Sequence, residues 1–207
     1  MMEKNGSTGS PHRRSVGVIT LIFSLCFLAS SLMADIDDLL RYKNDGFGIE
    51  ISVPKGWKIS RRDLPPQQVA TWWGKYRKEY MLVDFVKEVS GTETPLLILL
   101  QASRYFNSNG TRESHGYTFD TSKGIGVYMN ALKNQRKFTL VKKPYRVSVD
   151  GRTALRFICD LDADRILFTV ILDGDDVQTI QCIAPVKEFK NNRPSFEKIL
   201  KSIKFNK

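Results

Sequence analysis

The chain has 207 residues, 42% of them hydrophobic and 26% charged, a composition that excludes large-scale disorder. Its formal net charge is +10 at pH 7. The first 34 residues hold Lys4, Arg13 and Arg14 against Glu3, so +8 of that charge belongs to residues 35–207. A basic balance of this size favours acidic partners, and we expect an acidic protein or an anionic membrane surface rather than nucleic acid.

The N-terminal segment carries the marks of export. Arg13 and Arg14 precede an uncharged apolar run at residues 16–34, and small residues follow at candidate cleavage positions. Residues 1–34 are therefore predicted to be a signal peptide. The alternative is an N-terminal membrane anchor, since about 19 apolar residues can span a bilayer. In both cases the positive-inside rule leaves residues 35–207 in the periplasm or outside the cell. In the second case residues 16–34 anchor them to the inner membrane.

The first predicted strand has apolar residues at every second position. They are Phe47, Ile49, Ile51 and Val53. This alternation is typical of a strand with one buried face. Residues 54–56 predict a turn, and residues 57–59 restart an extended segment.

Residues 61–80 combine aromatic and basic side chains. The apolar positions recur at helical spacing and predict a helix with an aromatic face: Val69, Trp72, Trp73, Tyr76 and Tyr80. Such a face commonly covers one side of a sheet, and the alternative is a surface offered to an acidic partner. The candidate partner-binding residues are Trp72, Trp73, Lys75, Tyr76, Arg77 and Lys78.

The middle of the chain predicts a strand at residues 81–89, a central strand and then a helix. Residues 96–100 are apolar at every position, as expected for a strand covered on both faces. Residues 120–122 supply helix caps. The following helix has one apolar face, formed by Ile125, Tyr128, Met129 and Leu132.

The last third predicts antiparallel strands at residues 138–142, 145–149, 152–159, 165–172 and 177–183. Asp150-Gly151 and Asp173-Gly174 predict the turns. A closing helix is predicted to start near Pro194 and Ser195. Strands bracketed by helices predict an α+β fold, and residues 35–207 are predicted to form a single domain.

Few residues could support catalysis or metal binding. A hydrolase would need His115, which lies in a polar loop and is predicted to be a surface residue. Cys159 and Cys182 fall on strands with one strand between them, about 10 Å apart, and are predicted to be buried free thiols. The weak metal candidates are Asp160, Asp162 and Asp164. Their run lacks the glycine and the bidentate acid of a calcium loop and predicts an acidic turn.

Three segments resemble the PsbP-like families. GFGIEISVPKGWKI (46–59) resembles their first hairpin, VSVDGRTALRF (147–157) an inner hairpin, and SFEKILKSIKF (195–205) their C-terminal helix and last strand. These families include the extrinsic PsbP subunit of photosystem II, the Ran-binding Mog protein and DcrB-like bacterial envelope proteins. The resemblance implies an α/β/α sandwich around a mainly antiparallel sheet. Its motifs are structural, so they indicate a fold rather than a function.

We therefore expect an exported, non-enzymatic binding or accessory protein of the cell envelope, with no catalytic residue and no cofactor. The alternatives are a small-ligand or calcium-binding periplasmic protein and a hydrolase that uses His115.

Overall fold

Two sheets and two helices make up the part of the chain that the structure, a computed structural model, describes: residues 39–70, 76–91 and 94–206. The predicted signal peptide or anchor lies outside these ranges. Within them, neither helix is long and apolar enough to cross a membrane.

The small sheet is antiparallel and brings the two ends of the domain together. Its order is β1 (Leu40–Asn44), β2 (Ile49–Val53) and β12 (Lys204–Phe205). The predicted alternation in β2 is confirmed, because Ile49, Ile51 and Val53 are fully buried.

The large sheet is antiparallel throughout. Its main path runs β3-β5-β6-β11-β10-β9-β8, with β4 paired to β5 and β7 to β6. The strands are β3 (Lys58–Arg62), β4 (Gln67–Ala70), β5 (Tyr76–Lys87), β6 (Leu96–Phe106), β7 (Arg112–Glu113), β8 (Thr139–Val149), β9 (Arg152–Leu161), β10 (Asp164–Asp173) and β11 (Asp176–Pro185). The strand predicted to be central, at residues 96–100, lies in β6 between β5 and β11.

One helix covers each face of the large sheet. The helix α1 (Ser122–Gln135) begins at Thr121, whose hydroxyl accepts a hydrogen bond from the Gly124 amide at 3.1 Å. Its residues Tyr128 and Met129 pack with Phe157 and other residues of one sheet face. The helix α2 (Val186–Lys201) packs with the small sheet on the other face. The α+β single-domain fold and the α/β/α layering are thus confirmed.

The predicted helix at residues 61–80 is wrong. The described part of this segment forms β3, β4 and the start of β5, and β5 pairs with β6 along its length. Tyr76 and Tyr80, four residues apart, share a face in a strand as well as in a helix. Long-range pairing with β6 decides between the two periods, since tertiary context overrides a local pattern.

Two further expectations need correction. Residues 46–59 do not form a hairpin: β2 pairs with β1 and β12, whereas β3 pairs with β5 in the large sheet. The last helix begins at Val186 rather than near Pro194, which lies inside it. Proline in a helix interior removes a backbone hydrogen bond. Burial of Phe189 and Phe196, one on each side of Pro194 in the chain, opposes this loss.

Candidate functional site

A cleft of about 380 Å³ lies between α1 and the large sheet. Its floor comes from β5, β6 and β11, and its walls from α1 and from the segment that joins β3 to β4. The polar floor residues are Glu79, Gln101, Ser103, Thr179 and Gln181. The wall residues include Leu64, Pro65, Tyr128, Leu132 and Gln135.

The polar floor arises from a change along a single face of β6. Side chains two residues apart on a strand share a face. Leu97 and Leu99 pack against the core beneath α1, whereas Gln101 and Ser103, next on the same face, line the cleft. In the neighbouring strand Thr179 stands opposite Gln101. Along β6 the same sheet face therefore changes from the packing surface under α1 to the polar lining of the cleft.

A chain of hydrogen bonds crosses this floor. Arg136 donates through Nη1 to Oε1 of Gln181 at 3.3 Å, and Gln181 donates through Nε2 to Oε1 of Gln101 at 3.0 Å. The arginine can only donate, so it orients the Gln181 amide, which in turn orients the Gln101 amide. Among the described residues the NH₂ group of Gln101 has no acceptor, and it is the donor at the end of the chain.

Arg77 closes one end of the cleft. Its Nη2 lies 2.6 Å from Glu79 Oε1 and donates to Gln135 Oε1 at 3.1 Å, which joins β5 to the last turn of α1. Burial lowers the pKa of Arg77, but the interactions with Tyr105 and Glu79 outweigh it and hold this pKa above its usual value. The guanidinium therefore stays charged, and its main role in the cleft is to fix the surrounding side chains.

Three tyrosines form an aromatic group beside the floor. The ring centroids of Tyr105 and Tyr117 are 6.3 Å apart, and those of Tyr117 and Tyr128 are 5.1 Å apart. Burial raises the pKa of Tyr105 to about 12 and also raises the pKa of Tyr128. Both phenols therefore stay protonated, and they take part in hydrogen bonds within the cleft wall, Tyr105 with Arg77 and Tyr117, and Tyr128 with Thr179.

The charge of the cleft is positive. Its described lining includes Arg61, Arg77 and Arg136 against Glu79. Asp84 accepts a hydrogen bond from Arg61 Nε at 2.6 Å, and Glu79 pairs with Arg77. The contact that Arg136 makes with described residues is to the neutral Gln181, so no described carboxylate compensates its charge. This arrangement suits a ligand that carries an acidic group.

The structure divides the partner-binding residues predicted from the sequence. Trp72, Trp73 and Lys75 lie outside the described residues. Tyr76, Arg77 and Lys78 lie at the start of β5, where successive side chains point to opposite faces.

Of these three residues, Arg77 lines the cleft. The Tyr76 ring stacks on Phe106 at 5.3 Å, and Lys78 Nζ lies 5.2 Å from the centre of the same ring. The predicted patch is therefore not a single surface in its described part.

The acidic run does not gather its carboxylates. Asp160 accepts two hydrogen bonds from Arg165, at 2.7 and 2.9 Å, and these bonds lower its pKa. Asp162 occupies the turn with a φ of 55°, and Asp164 begins β10. In the ranges that the structure describes, no group of three or more acidic, histidine or cysteine residues is placed to hold a metal ion.

His115 lies apart from the cleft floor and is held by backbone groups. Its Nδ1 accepts from the Tyr117 amide at 2.9 Å, so Nε2 carries the proton and donates to the Gly174 carbonyl at 3.1 Å. The ring is half-buried and stacks on Tyr117, and burial lowers its pKa. The expectation of a surface loop histidine is thus only partly met, because the ring is half-buried.

Cys159 and Cys182 are buried free thiols, as predicted. The intervening strand β10 pairs with both of their strands. Cys159 packs in the hydrophobic cluster between α1 and the large sheet, and Cys182 in the cluster on the side of α2. The two thiols therefore also point to opposite faces of the large sheet.

The sequence interpretation missed the main cleft residues Gln101, Gln181 and Arg136. The available signal was polar residues at alternate positions inside strands that are otherwise apolar, in LLILLQASRYF and DVQTIQCIAP. Arg136 had no such signal, because it follows the last turn of α1.

The fold resembles those of three solved structures. Cyanobacterial PsbP (CyanoP) from Synechocystis is 15% identical, with a TM-score of 0.49, and the match covers 82% of this chain and 94% of that chain. LpqN from Mycobacterium tuberculosis, a protein involved in cell envelope biogenesis, is 12% identical, with a TM-score of 0.52, and the match covers 87% of this chain and 97% of that chain. A protein of unknown function from Pseudomonas aeruginosa is 9% identical, with a TM-score of 0.43, and the match covers 80% of this chain and 95% of that chain.

The likeness to LpqN shows a shared fold. No protein-family profile matches the chain, and neither does any curated protein sequence.

Proposed function

We propose that this chain is an exported, non-enzymatic accessory protein of the cell envelope that binds an acidic group of its partner in the cleft. One observation carries the proposal: the cleft holds an arginine, Arg136, that no described carboxylate compensates, beside side chains whose orientations are already set. Preset donors lower the cost of ordering a site when a ligand binds.

The envelope role has support from two independent features. Residues 1–34 have the composition of an export signal. LpqN, which shares the fold, is involved in cell envelope biogenesis. The proposal assigns the same compartment to this chain.

Binding rather than catalysis is favoured by the state of the reactive side chains. Burial raises the pKa of the Cys159 thiol to about 12, which suppresses the nucleophilic thiolate. Burial likewise raises the pKa of Cys182. His115 is held by two backbone groups and is not among the described residues that line the cleft.

The partner is an acidic molecule whose charged group can enter a concave site. The test uses the full chain purified in detergent and three acidic probes: poly-glutamate, oligomers of galacturonate and vesicles that contain phosphatidylglycerol. Each probe is titrated against the wild type, R136Q and the control R41Q. Arg41 is an exposed arginine of β1 in the small sheet, so R41Q removes the same charge away from the cleft.

We expect at least one probe to bind the wild type and R41Q alike and to lose about tenfold in affinity for R136Q, the usual effect of one charge-assisted hydrogen bond. Equal losses in R136Q and R41Q would mean that net charge, and not the cleft, attracts acidic partners. That result would contradict the proposal.

A further inference from the structure

The chemistry of the cleft defines a class of ligand, an inference that rests on the proposed function. We infer that the cleft binds an acidic saccharide unit, a sugar ring that carries a single carboxylate. Four properties of the cleft lead to this class: its size, the hydrogen-bonding capacity of its floor, its aromatic wall and its charge.

Size favours a compact ligand. The cleft has a volume of about 380 Å³, at the low end of the range for small-molecule sites. A site of this volume suits a small cyclic ligand, or the end of a longer polymer, better than a folded protein segment.

The floor requires a ligand rich in hydroxyl groups. Gln101, Ser103 and Thr179 are half-buried, and a bound ligand would remove them from water. Polar groups that lose water without gaining a new partner are costly, so an apolar ligand would bind poorly here. A sugar hydroxyl both donates and accepts, and can therefore satisfy amide and hydroxyl groups together.

The NH₂ donor of Gln101 at the end of the hydrogen-bond chain is oriented for a ligand oxygen. Arg136 orients Gln181, and Gln181 donates to the carbonyl oxygen of Gln101. The Gln101 NH₂ group consequently points its donors away from Gln181 and can meet a ligand oxygen. The half-buried Tyr105 and Tyr117 also line the cleft, and a tyrosine ring can pack against the apolar face of a sugar ring.

The charges of the cleft lining favour a ligand with one carboxylate. Arg61 is paired with Asp84, and Arg77 with Glu79, so Arg136 is the arginine of the described lining whose charge is not compensated. A monoanion balances one such cation, whereas a phosphate monoester carries more negative charge than this site neutralises. The planar guanidinium also matches a carboxylate in geometry.

The test is calorimetric titration of the full chain with glucuronate and three matched compounds. Glucose lacks the acid, cyclohexanecarboxylate keeps a six-membered ring and one carboxylate but lacks the hydroxyl groups, and glucose 6-phosphate replaces the carboxylate by a phosphate. We expect glucuronate to bind at least about tenfold more tightly than each of the others, because only glucuronate satisfies both the amide floor and Arg136.

Two cleft variants and one control locate the effect. R136Q should bind glucuronate about as weakly as it binds glucose, because the substitution removes the positive charge that pairs with the carboxylate. Q101E keeps an acceptor for Gln181 but presents a carboxylate in place of the NH₂ group, so glucuronate affinity should fall about tenfold or more while glucose affinity falls less. R41Q should bind like the wild type.

The outcomes separate the inference from the proposed function. Cyclohexanecarboxylate binding as tightly as glucuronate, with R136Q still defective, would show that the site does not recognise sugar hydroxyl groups, while the proposed binding of an acidic group would stand. Tighter binding of glucose 6-phosphate than of glucuronate would show that the site prefers phosphate and would overturn the inference of a carboxylate ligand. If no compound binds but poly-glutamate still requires Arg136, the saccharide is wrong and the proposed function stands. If no acidic probe depends on Arg136, both fail. Far-UV circular dichroism checks that each variant is folded, and the exposed position of Arg136 keeps R136Q informative.

Discussion

Arg104 of β6 holds Asp176 of β11, with Arg104 Nε 3.0 Å from Asp176 Oδ1. Nη2 of Arg112 lies 3.0 Å from the same oxygen, and the Asp176 side chain is only 7% exposed. The Arg104 guanidinium also lies 4.0 Å from the centre of the Phe47 ring. One carboxylate thus fixes the start of β11 to its neighbours and, through Arg104, to the segment that leads into the small sheet.

Removing this carboxylate should destabilise the domain. We expect D176N to lower the free energy of unfolding by about 2 kcal/mol, because asparagine removes the negative charge between two arginines and places an NH₂ donor where a carboxylate oxygen accepted their hydrogen bonds. Urea denaturation measures the change. D175N is the matched control: its side chain is 53% exposed and 4.0 Å from Arg112, so its effect should stay below about 0.5 kcal/mol. Equal effects of the two variants would contradict the assigned role.

Two glycines of α1 should respond in opposite directions to alanine. A Cβ on Gly124 would lie 2.3 Å from the backbone oxygen of Thr118, whereas a Cβ on Gly126 would meet nothing within 4 Å. We expect G124A to destabilise by about 1 to 3 kcal/mol through overpacking. G126A should stabilise by about 0.5 to 1 kcal/mol, because alanine favours the helix. Thermal unfolding measures both, and a stabilising G124A would contradict the close approach.

The two thiols of the domain should be unreactive until it unfolds. Burial raises the pKa of Cys159 to about 12 and raises the pKa of Cys182, so neither forms thiolate readily at pH 8. With the leader cysteine Cys26 replaced by serine, a thiol reagent should label neither residue in the native chain and both in urea. Intact mass under non-reducing conditions is the second measurement. A disulfide between Cys159 and Cys182 would contradict their placement on opposite faces.

The half-buried ring of His115 should make stability depend on pH near neutrality. Burial lowers its pKa in the folded chain from the ordinary value of 6.5, against the opposing effects of Gly174, Asp175 and Asp176. As pH falls through that ordinary value, the unfolded chain takes up the proton first. Stability present at pH 7.5 should therefore decline towards pH 5.5.

The variant H115N should flatten this dependence, as measured by urea denaturation across that range. Asp150 and Asp160 do not interfere, because the Phe205 amide and Arg165, respectively, lower their pKa values and place their titrations in more acidic solution. Stability of the wild type that rises as the pH falls from 7.5 to 5.5 would contradict the burial of His115.

Local chemistry explains which parts of the fold could be predicted. Asp150 and Gly151 have φ values of 48° and 82°, the left-handed pair that a two-residue hairpin turn needs, and the sequence shows this directly. The Thr121 cap and the separation of the cysteines follow from equally local patterns. The start of α2 was missed because Pro194 resembles a helix start, and tertiary packing carries the helix through it.

The cleft could not be predicted because it depends on register. Gln101 faces Thr179 only through the pairing of β6 with β11, and a shift of one residue would turn these side chains to the opposite face. Arg136 joins them through the end of α1, far from both in sequence. Tyr76, Arg77 and Lys78 fit a helix and a strand equally. Their division between two sheet faces could therefore be known only from the pairing of β5 with β6.

Ligand binding in the cleft is tested most directly by a nuclear magnetic resonance titration that follows the side-chain amides of Gln101 and Gln181 while glucuronate is added to the ¹⁵N-labelled full chain. Both amide signals should shift together with increasing glucuronate, glucose should shift them far less, and R136Q should remove the difference. Unchanged signals from Gln101 and Gln181 at concentrations where glucuronate binds the protein would place binding elsewhere and contradict recognition of the acidic sugar in the cleft.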